Sequence, residues 1–181
     1  ISLGHLNADN FLDIVTANID DNSISVLTGK EDGSFEEQVL FDVGRNPTSV
    51  VIVDLNGDGN QDVVTSNVGS HSVSVLYGTG TASFSEAVDF TAGHGPSTVV
   101  AGDLDLDGDI DLATSNTGSS DVTILYNLGE GIFSPPLSHG DAKYGDLAYY
   151  LVALDDLDND GDLDLGMAKY YSNKIAIVTN N

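Results

Sequence analysis

Asp, Asn and Gly recur in this chain with the spacing D-x-[DN]-x-D-G-x-x-D, a pattern suited to holding a hard cation. Three copies are complete: Asp54, Asn56, Asp58, Gly59 and Asp62; Asp103, Asp105, Asp107, Gly108 and Asp111; and Asp156, Asp158, Asp160, Gly161 and Asp164. Side chains at positions 1, 3 and 5 converge when the backbone curls, and glycine at position 6 allows the positive φ that the curl needs. The carbonyl at position 7, from Asn60, Asp109 or Asp162, adds an oxygen, and the carboxylate at position 9 closes the shell. So many oxygen ligands suit Ca²⁺ better than Mg²⁺, which takes a smaller, stricter octahedron and keeps more water. The chain has no Cys and only four His, which argues against Zn²⁺.

An incomplete copy lies near the N-terminus: His5, Asn7, Asp9, Asn10 and Asp13, with the Phe11 carbonyl at position 7. His replaces the first carboxylate and Asn replaces the glycine. Asn tolerates the left-handed region, so the turn survives while the charge falls. The expectation is three strong Ca²⁺ sites and one weak one. Ligand charge tunes affinity, so occupancy should decline from copies three and four through copy two to copy one. An EF-hand reading fails, because its loop has twelve positions, ends on Glu and is flanked by helices.

No other motif competes. There is no G-x-S-x-G, no H-E-x-x-H and no complete phosphate loop; Gly129-Glu130-Gly131 sits where a turn belongs. Any two of the many carboxylates could be imagined as a glycosidase pair, but ion ligation already accounts for most of them. The chain is therefore read as non-catalytic.

The elements that position these loops follow from the repeat. Asp13, Asp62 and Asp111 are 49 residues apart, and Asp164 follows after 53. Ile24, Val73, Val122 and Ile175 keep the same register, as do Phe35, Phe84 and Phe133. Each repeat holds four β-like stretches, here A to D, with the acidic loop between A and B. In copy two these are Thr48 to Asp54, Asp62 to Ser66, Ser72 to Tyr77 and Phe84 to Thr91. A Gly-x-x-Pro step separates D from the next A at Gly44 to Pro47 and Gly93 to Pro96. No stretch has helical periodicity. The expected fold is all-β, made of propeller blades: four-stranded antiparallel repeats of about 49 residues, with a solenoid as the rival. Blades are expected over residues 1–45, 46–94, 95–147 and 148–181.

The formal charge of −24 is interleaved with Val, Ile and Leu rather than blocked, and 40% of residues are hydrophobic, so the chain reads as folded. Five Lys and Arg are too few to neutralise phosphate, which argues against nucleic acid and anionic membranes. Of 29 acidic residues, 16 lie in or beside the four loops, so ion binding accounts for more than half of them. Apolar runs such as Val50 to Val53 are too short to span a bilayer.

Val53-Asp54-Leu55-Asn56-Gly57-Asp58-Gly59 and Ala101 to Gly108 resemble the FG-GAP/VCBS repeats known from the integrin α-subunit propeller and bacterial surface proteins. The resemblance covers nearly the whole chain. It implies a propeller with a Ca²⁺ in each A–B loop, an extracellular setting, and membership of a larger propeller. The chain begins within a strand A and stops after a strand C, which gives about fifteen strands. Another chain or further blades are expected at the open edges.

The end of the blades opposite the acidic loops offers a ligand face. Arg45, Lys143, Tyr144, Lys169, Tyr170 and Tyr171 fall on or beside B–C and D–A connections. Exposed aromatics with a few cations suit a protein or glycan ligand. Tyr149 and Tyr150 read instead as strand residues packed between blades. Three functions follow as expectations: an extracellular adhesion or ligand-binding module with structural calcium; a structural subunit of a filament or surface assembly; and an accessory domain of a carbohydrate-active enzyme.

Overall fold

A computed structural model describes residues 1–139, 149–169 and 174–180. Fifteen strands run in chain order and no helix occurs among these residues. The first blade is β1 (Ser2–Gly4), β2 (Asp13–Asn18), β3 (Ser23–Leu27) and β4 (Val39–Asp42). The second is β5 (Pro47–Val53), β6 (Asp62–Asn67), β7 (Ser72–Leu76) and β8 (Val88–Thr91). The third is β9 (Pro96–Gly102), β10 (Asp111–Asn116), β11 (Asp121–Leu125) and β12 (Leu137–His139). The fourth holds β13 (Tyr149–Asp155), β14 (Asp164–Lys169) and β15 (Lys174–Val178). Each blade is its own antiparallel meander, which separates the fold from a solenoid.

Period-2 alternation sends successive side chains to opposite faces of a blade. Both faces of an inner blade are covered by neighbours, so β6 and β10 are buried along their whole length. Three apolar seams result. Leu6, Val15, Ile24 and Val26 of blade one meet Val50, Val63 and Leu76 of blade two. Leu55, Val64, Val73 and Val75 meet Val99, Leu112 and Leu125. Leu104, Ala113, Val122 and Ile124 meet Leu165 and Met167. Each fully buried Val, Leu or Ile contributes about 1.5–3 kcal/mol relative to exposure.

Strand D is shorter than the sequence suggests. The Phe84 stretch is not continuous with β8: Phe84 makes a single bridge to Gly78, and the strand resumes at Val88. Phe84 turns inward instead, edge-on to Phe41 of the previous blade at 5.2 Å. Phe133 does the same to Phe90 at 5.0 Å. The Gly-x-x-Pro steps are left-handed one residue before the proline, at Asn46 (φ 53°) and Gly95 (φ 67°).

Candidate metal centre

The A–B connections are tight coils held by their own amides. In loop two, Gly57 and Gly59 donate to the two oxygens of Asp54, both at 2.9 Å. The amide of Asp58 donates to Asn56 Oδ1 at 3.1 Å and that of Asn60 to Asp58 Oδ1 at 2.7 Å. Loop three repeats three of these four bonds: Gly108 to Asp103, Asp107 to Asp105, and Asp109 to Asp107. Loop four has Gly161 on Asp156, Asp160 on Asp158, and Asp162 on Asp160. Position 6 is left-handed in every copy, at Asn10 (φ 65°), Gly59 (85°), Gly108 (98°) and Gly161 (103°), so Asn10 does replace the glycine.

The curl gathers charge. Carboxylate oxygens of Asp103, Asp105 and Asp107 lie within 4.8 Å of one another, and so do those of Asp156, Asp158 and Asp164. Desolvation, then the charges of Asp107 and Asp103, push Asp105 above the usual carboxylate range. Asp158 is raised by desolvation and by Asp160 and Asp164. In loop two the neutral Asn56 takes the middle position and donates to Asp58 at 3.2 Å. Asp58 is lowered, chiefly by the amide of Asn60.

One atom in loop three lacks a partner: Asp103 Oδ1 is buried without a hydrogen bond. A buried carboxylate oxygen left bare costs several kcal/mol, about what a cation beside it would remove. A cluster of hard oxygen donors in the same loop as such an atom fits Ca²⁺.

The position 9 aspartates have a further role that the spacing did not show. Asp13, Asp62, Asp111 and Asp164 are all fully buried. Each takes one amide from the start of its loop and one from the turn after strand C. For Asp13 these are Leu6 and Gly29, both at 2.8 Å. For Asp62 they are Leu55 (2.9 Å) and Gly78 (2.7 Å), and for Asp111 Leu104 and Asn127 (both 2.8 Å). Asp164 takes Leu157 (2.8 Å) and Asn180 (2.9 Å). Burial, outweighing these donors, raises Asp62 and Asp111. The sequence signal was available: this Asp is the one loop carboxylate besides position 5 that survives in copy one.

Copy one is closed differently. His5 Nδ1 lies 3.0 Å from the Phe11 carbonyl, so the ring that replaces the first carboxylate engages the position 7 oxygen directly. Asn7 and Asp9 accept the amides of Asp9 and Phe11, both at 2.9 Å.

At the opposite end, Arg45 is the one proposed ligand-face residue whose side chain the structure describes, and its Nη2 donates to the Gly69 carbonyl at 3.1 Å. Lys143, Tyr144, Tyr170 and Tyr171 lie outside the described residues, as do the side chains of Lys169, Tyr149 and Tyr150. This end also carries a stacked imidazole pair, His71 on His94 at 3.9 Å, with His71 Nδ1 accepting the Gly95 amide. Buried Asn67 and Asn116 close the B–C hairpins from within, on Ser72 and Ser74 and on Asp121 and Thr123.

The sequence matches the FG-GAP-like repeat model twice, over residues 5–65 and 54–114. Together these cover more than half of the chain, which belongs to the FG-GAP-like repeat family. No curated protein sequence matches it. Among solved structures, a catalytically inactive virginiamycin B lyase from Staphylococcus aureus, crystallised with quinupristin, is similar at 16% identity and a TM-score of 0.61. That match covers 95% of this chain and 49% of the lyase chain. The Photorhabdus luminescens Tc holotoxin pore is similar at 14% identity and a TM-score of 0.50, over 91% of this chain and 8% of the toxin chain. At such identities the likeness is one of fold: a β-propeller-like repeat module. This chain spans about half the length of the lyase it matches. Among the described residues no helix is long and apolar enough to cross a membrane.

Proposed function

We propose that this chain is a calcium-binding, non-catalytic β-propeller module that works outside the cell in adhesion or ligand binding. The observation that carries the calcium reading is loop three, where carboxylate oxygens of Asp103, Asp105 and Asp107 lie within 4.8 Å of one another and Asp103 Oδ1 is buried without a hydrogen bond. Loop four gathers Asp156, Asp158 and Asp164 in a like cluster, and loop two curls in the same sense with Asn56 in place of one charge and two amides on Asp54. Exposed carboxylate loops of this kind suit the calcium levels met by extracellular modules. The role of the ion is structural: it holds the A–B connection against the charge of its own ligands.

The ligand is taken at the opposite end, by Arg45 together with Lys143, Tyr144, Lys169, Tyr170 and Tyr171. A cation beside exposed aromatic rings suits a glycan or a protein loop.

Thermal melting with calcium and in excess chelator tests the first part. A melting temperature that falls by many degrees on chelation is expected, because an ion that binds only the native state stabilises it by mass action. An unchanged melt sinks the reading. For the second part, a glycan array and a cell-adhesion assay should lose signal when Arg45 and Tyr144 become Ala while the melt stays intact. Binding that persists in that variant sinks the ligand face.

A further inference from the structure

We propose that the groove between the outer edges of blades one and two binds a linear aliphatic polyamine. It is separate from the acidic loops and from the opposite ligand face, and the inference rests on neither of those readings.

Strands A of successive blades pack on one another, β5 on β9, so the strand D edges, β4 and β8, lie on the outside. Between blades one and two they border a groove of about 490 Å³. Its apolar floor is Phe41, Leu76 and Phe84, formed where Phe84 leaves the strand D ladder and stands edge-on to Phe41 at 5.2 Å. Three acids line its sides: Asp42 from blade one, and Glu86 and Asp89 from blade two. All three are exposed. Asp89 accepts Ser74 Oγ at 2.5 Å, and the carboxylates of Asp42 and Glu86 accept no hydrogen bond among the described residues. No Lys or Arg lines the groove, and among the described residues the one ion pair is Lys30 with Glu36.

The repeat supplies its own comparison. One repeat on, the floor returns as Phe90, Leu125 and Phe133, again with the two rings edge-on. An apolar floor is therefore part of how two blades meet. The acids do not return: the positions of Asp42, Glu86 and Asp89 hold Thr91, Pro135 and Ser138. Asp89 itself, in place of Leu40, is the one acid at a matching position. The local backbone does not need them either. Ser85 and Ser134 accept the amides of Tyr77 and Tyr126, both at 3.1 Å, and donate to the carbonyl of the next residue whether that is Glu86 or Pro135. Three carboxylates are thus added to a surface whose construction does without them, and their mutual repulsion favours a cationic occupant.

Their arrangement selects the kind of cation. Loop aspartates gather within 4.8 Å of one another, as a metal ion requires, whereas Asp42, Glu86 and Asp89 form no such cluster. Acids from both blades, set around an apolar floor, suit separate ammonium groups joined by methylenes. The nitrogens meet the carboxylates while the carbon chain covers Phe41, Leu76 and Phe84.

Isothermal titration of spermidine into the calcium-saturated chain, in salt near physiological strength, tests the proposal. One saturable site per chain is expected above a weak, unsaturable background from the −24 charge. Asp42→Asn with Glu86→Gln should weaken that site roughly tenfold, as the loss of two ammonium–carboxylate pairs implies. Both side chains are exposed and unbonded, so the melt should match the parent. Glu31→Gln with Glu130→Gln removes the same charge outside the groove and should leave the site intact. In the parent, spermidine should move the amide NMR signals of Phe41 to Val43 and of Ser85 to Ala87, and Mg²⁺ at equal charge should not displace it. Absence of a saturable site overturns the proposal, as do equal losses in the two double variants, or signals that move only in the acidic loops. Displacement by Mg²⁺ would reduce the groove to general acidity, and a lysine tripeptide that binds it more tightly than spermidine would give it to a protein partner; either result overturns the polyamine assignment.

Discussion

Replacing Asp13 by Ala separates the anchoring role of the position 9 carboxylate from any role in ion binding. Asp13 is fully buried and its two oxygens take the amides of Leu6 and Gly29, both at 2.8 Å. Leu6 and Gly29 are buried too, so water cannot replace the lost acceptor. A hydrogen bond to a carboxylate contributes about 1.5–3 kcal/mol, so losing both costs about 3–6 kcal/mol. For a chain of this size that lowers the melting temperature by about 6–24 °C. Asp9→Ala is the control: Asp9 is exposed and holds one exposed amide, so its loss should cost under about 1 kcal/mol. Urea unfolding of both variants, with calcium and in chelator, reads the difference. The Asp13→Ala loss should be the same in both conditions, because His5 already engages the Phe11 carbonyl of that loop. Equal losses for the two variants, or an Asp13→Ala loss confined to calcium buffer, would refute the anchoring role.

His5→Asp with Asn10→Gly restores the full ligand pattern to copy one and should add one calcium per chain, read by isothermal titration; an unchanged count contradicts the reading of His5 as the defect. Asp107→Ala should lower the melting temperature in calcium by more than Asp9→Ala does, since Asp107 belongs to a three-carboxylate cluster; the reverse order would reject the ranking of the loops. In chelator, Asp62, Asp105, Asp111 and Asp158 are raised in the folded chain, mainly by desolvation. Their contribution is fully present below the unfolded carboxylate pKa and is lost as pH rises through their folded values. The chelated protein should therefore melt higher as pH falls from neutral into the raised carboxylate range. It should melt lower again as pH passes the depressed values of Asp32 and Asp58, held down by Ser34 and by the Asn60 amide. Asp121 joins them, because donors from Ser119, Ser138 and Asn116 outweigh its burial. A melt that only declines from neutral pH downward would contradict this.

The repeat made most of the fold legible. Period-2 alternation gave strands β5 to β7 to within a residue or so, and the repeat offset, 49 residues twice and then 53, placed every acidic loop on an A–B connection. Strand D was read too long because Phe84 and Val88 are both β-formers. Only the structure shows that Phe84 leaves the ladder to pack edge-on against Phe41. Coil residues at positions 1, 3, 5 and 6 were legible because their types are tied to backbone curvature. The left-handed φ at position 4 was not, since Gly57, Leu106 and Asn159 share no chemistry there. The double anchoring by Asp13, Asp62, Asp111 and Asp164 also escaped spacing, because one partner is an amide 16 residues downstream. His5 was read as a lost charge; its bond to the Phe11 carbonyl depends on where the ring lands, which spacing does not specify.

Direct counting of bound calcium tests the central claim. The 181-residue chain, stripped with chelator and then dialysed against millimolar calcium, should retain three ions per chain by elemental analysis. One each would belong to the loops of Asp54, Asp103 and Asp156, and the count should fall to two in Asp103→Ala. Retention of no calcium, or a count that Asp103→Ala leaves untouched, would contradict the assignment of these loops as the metal centres.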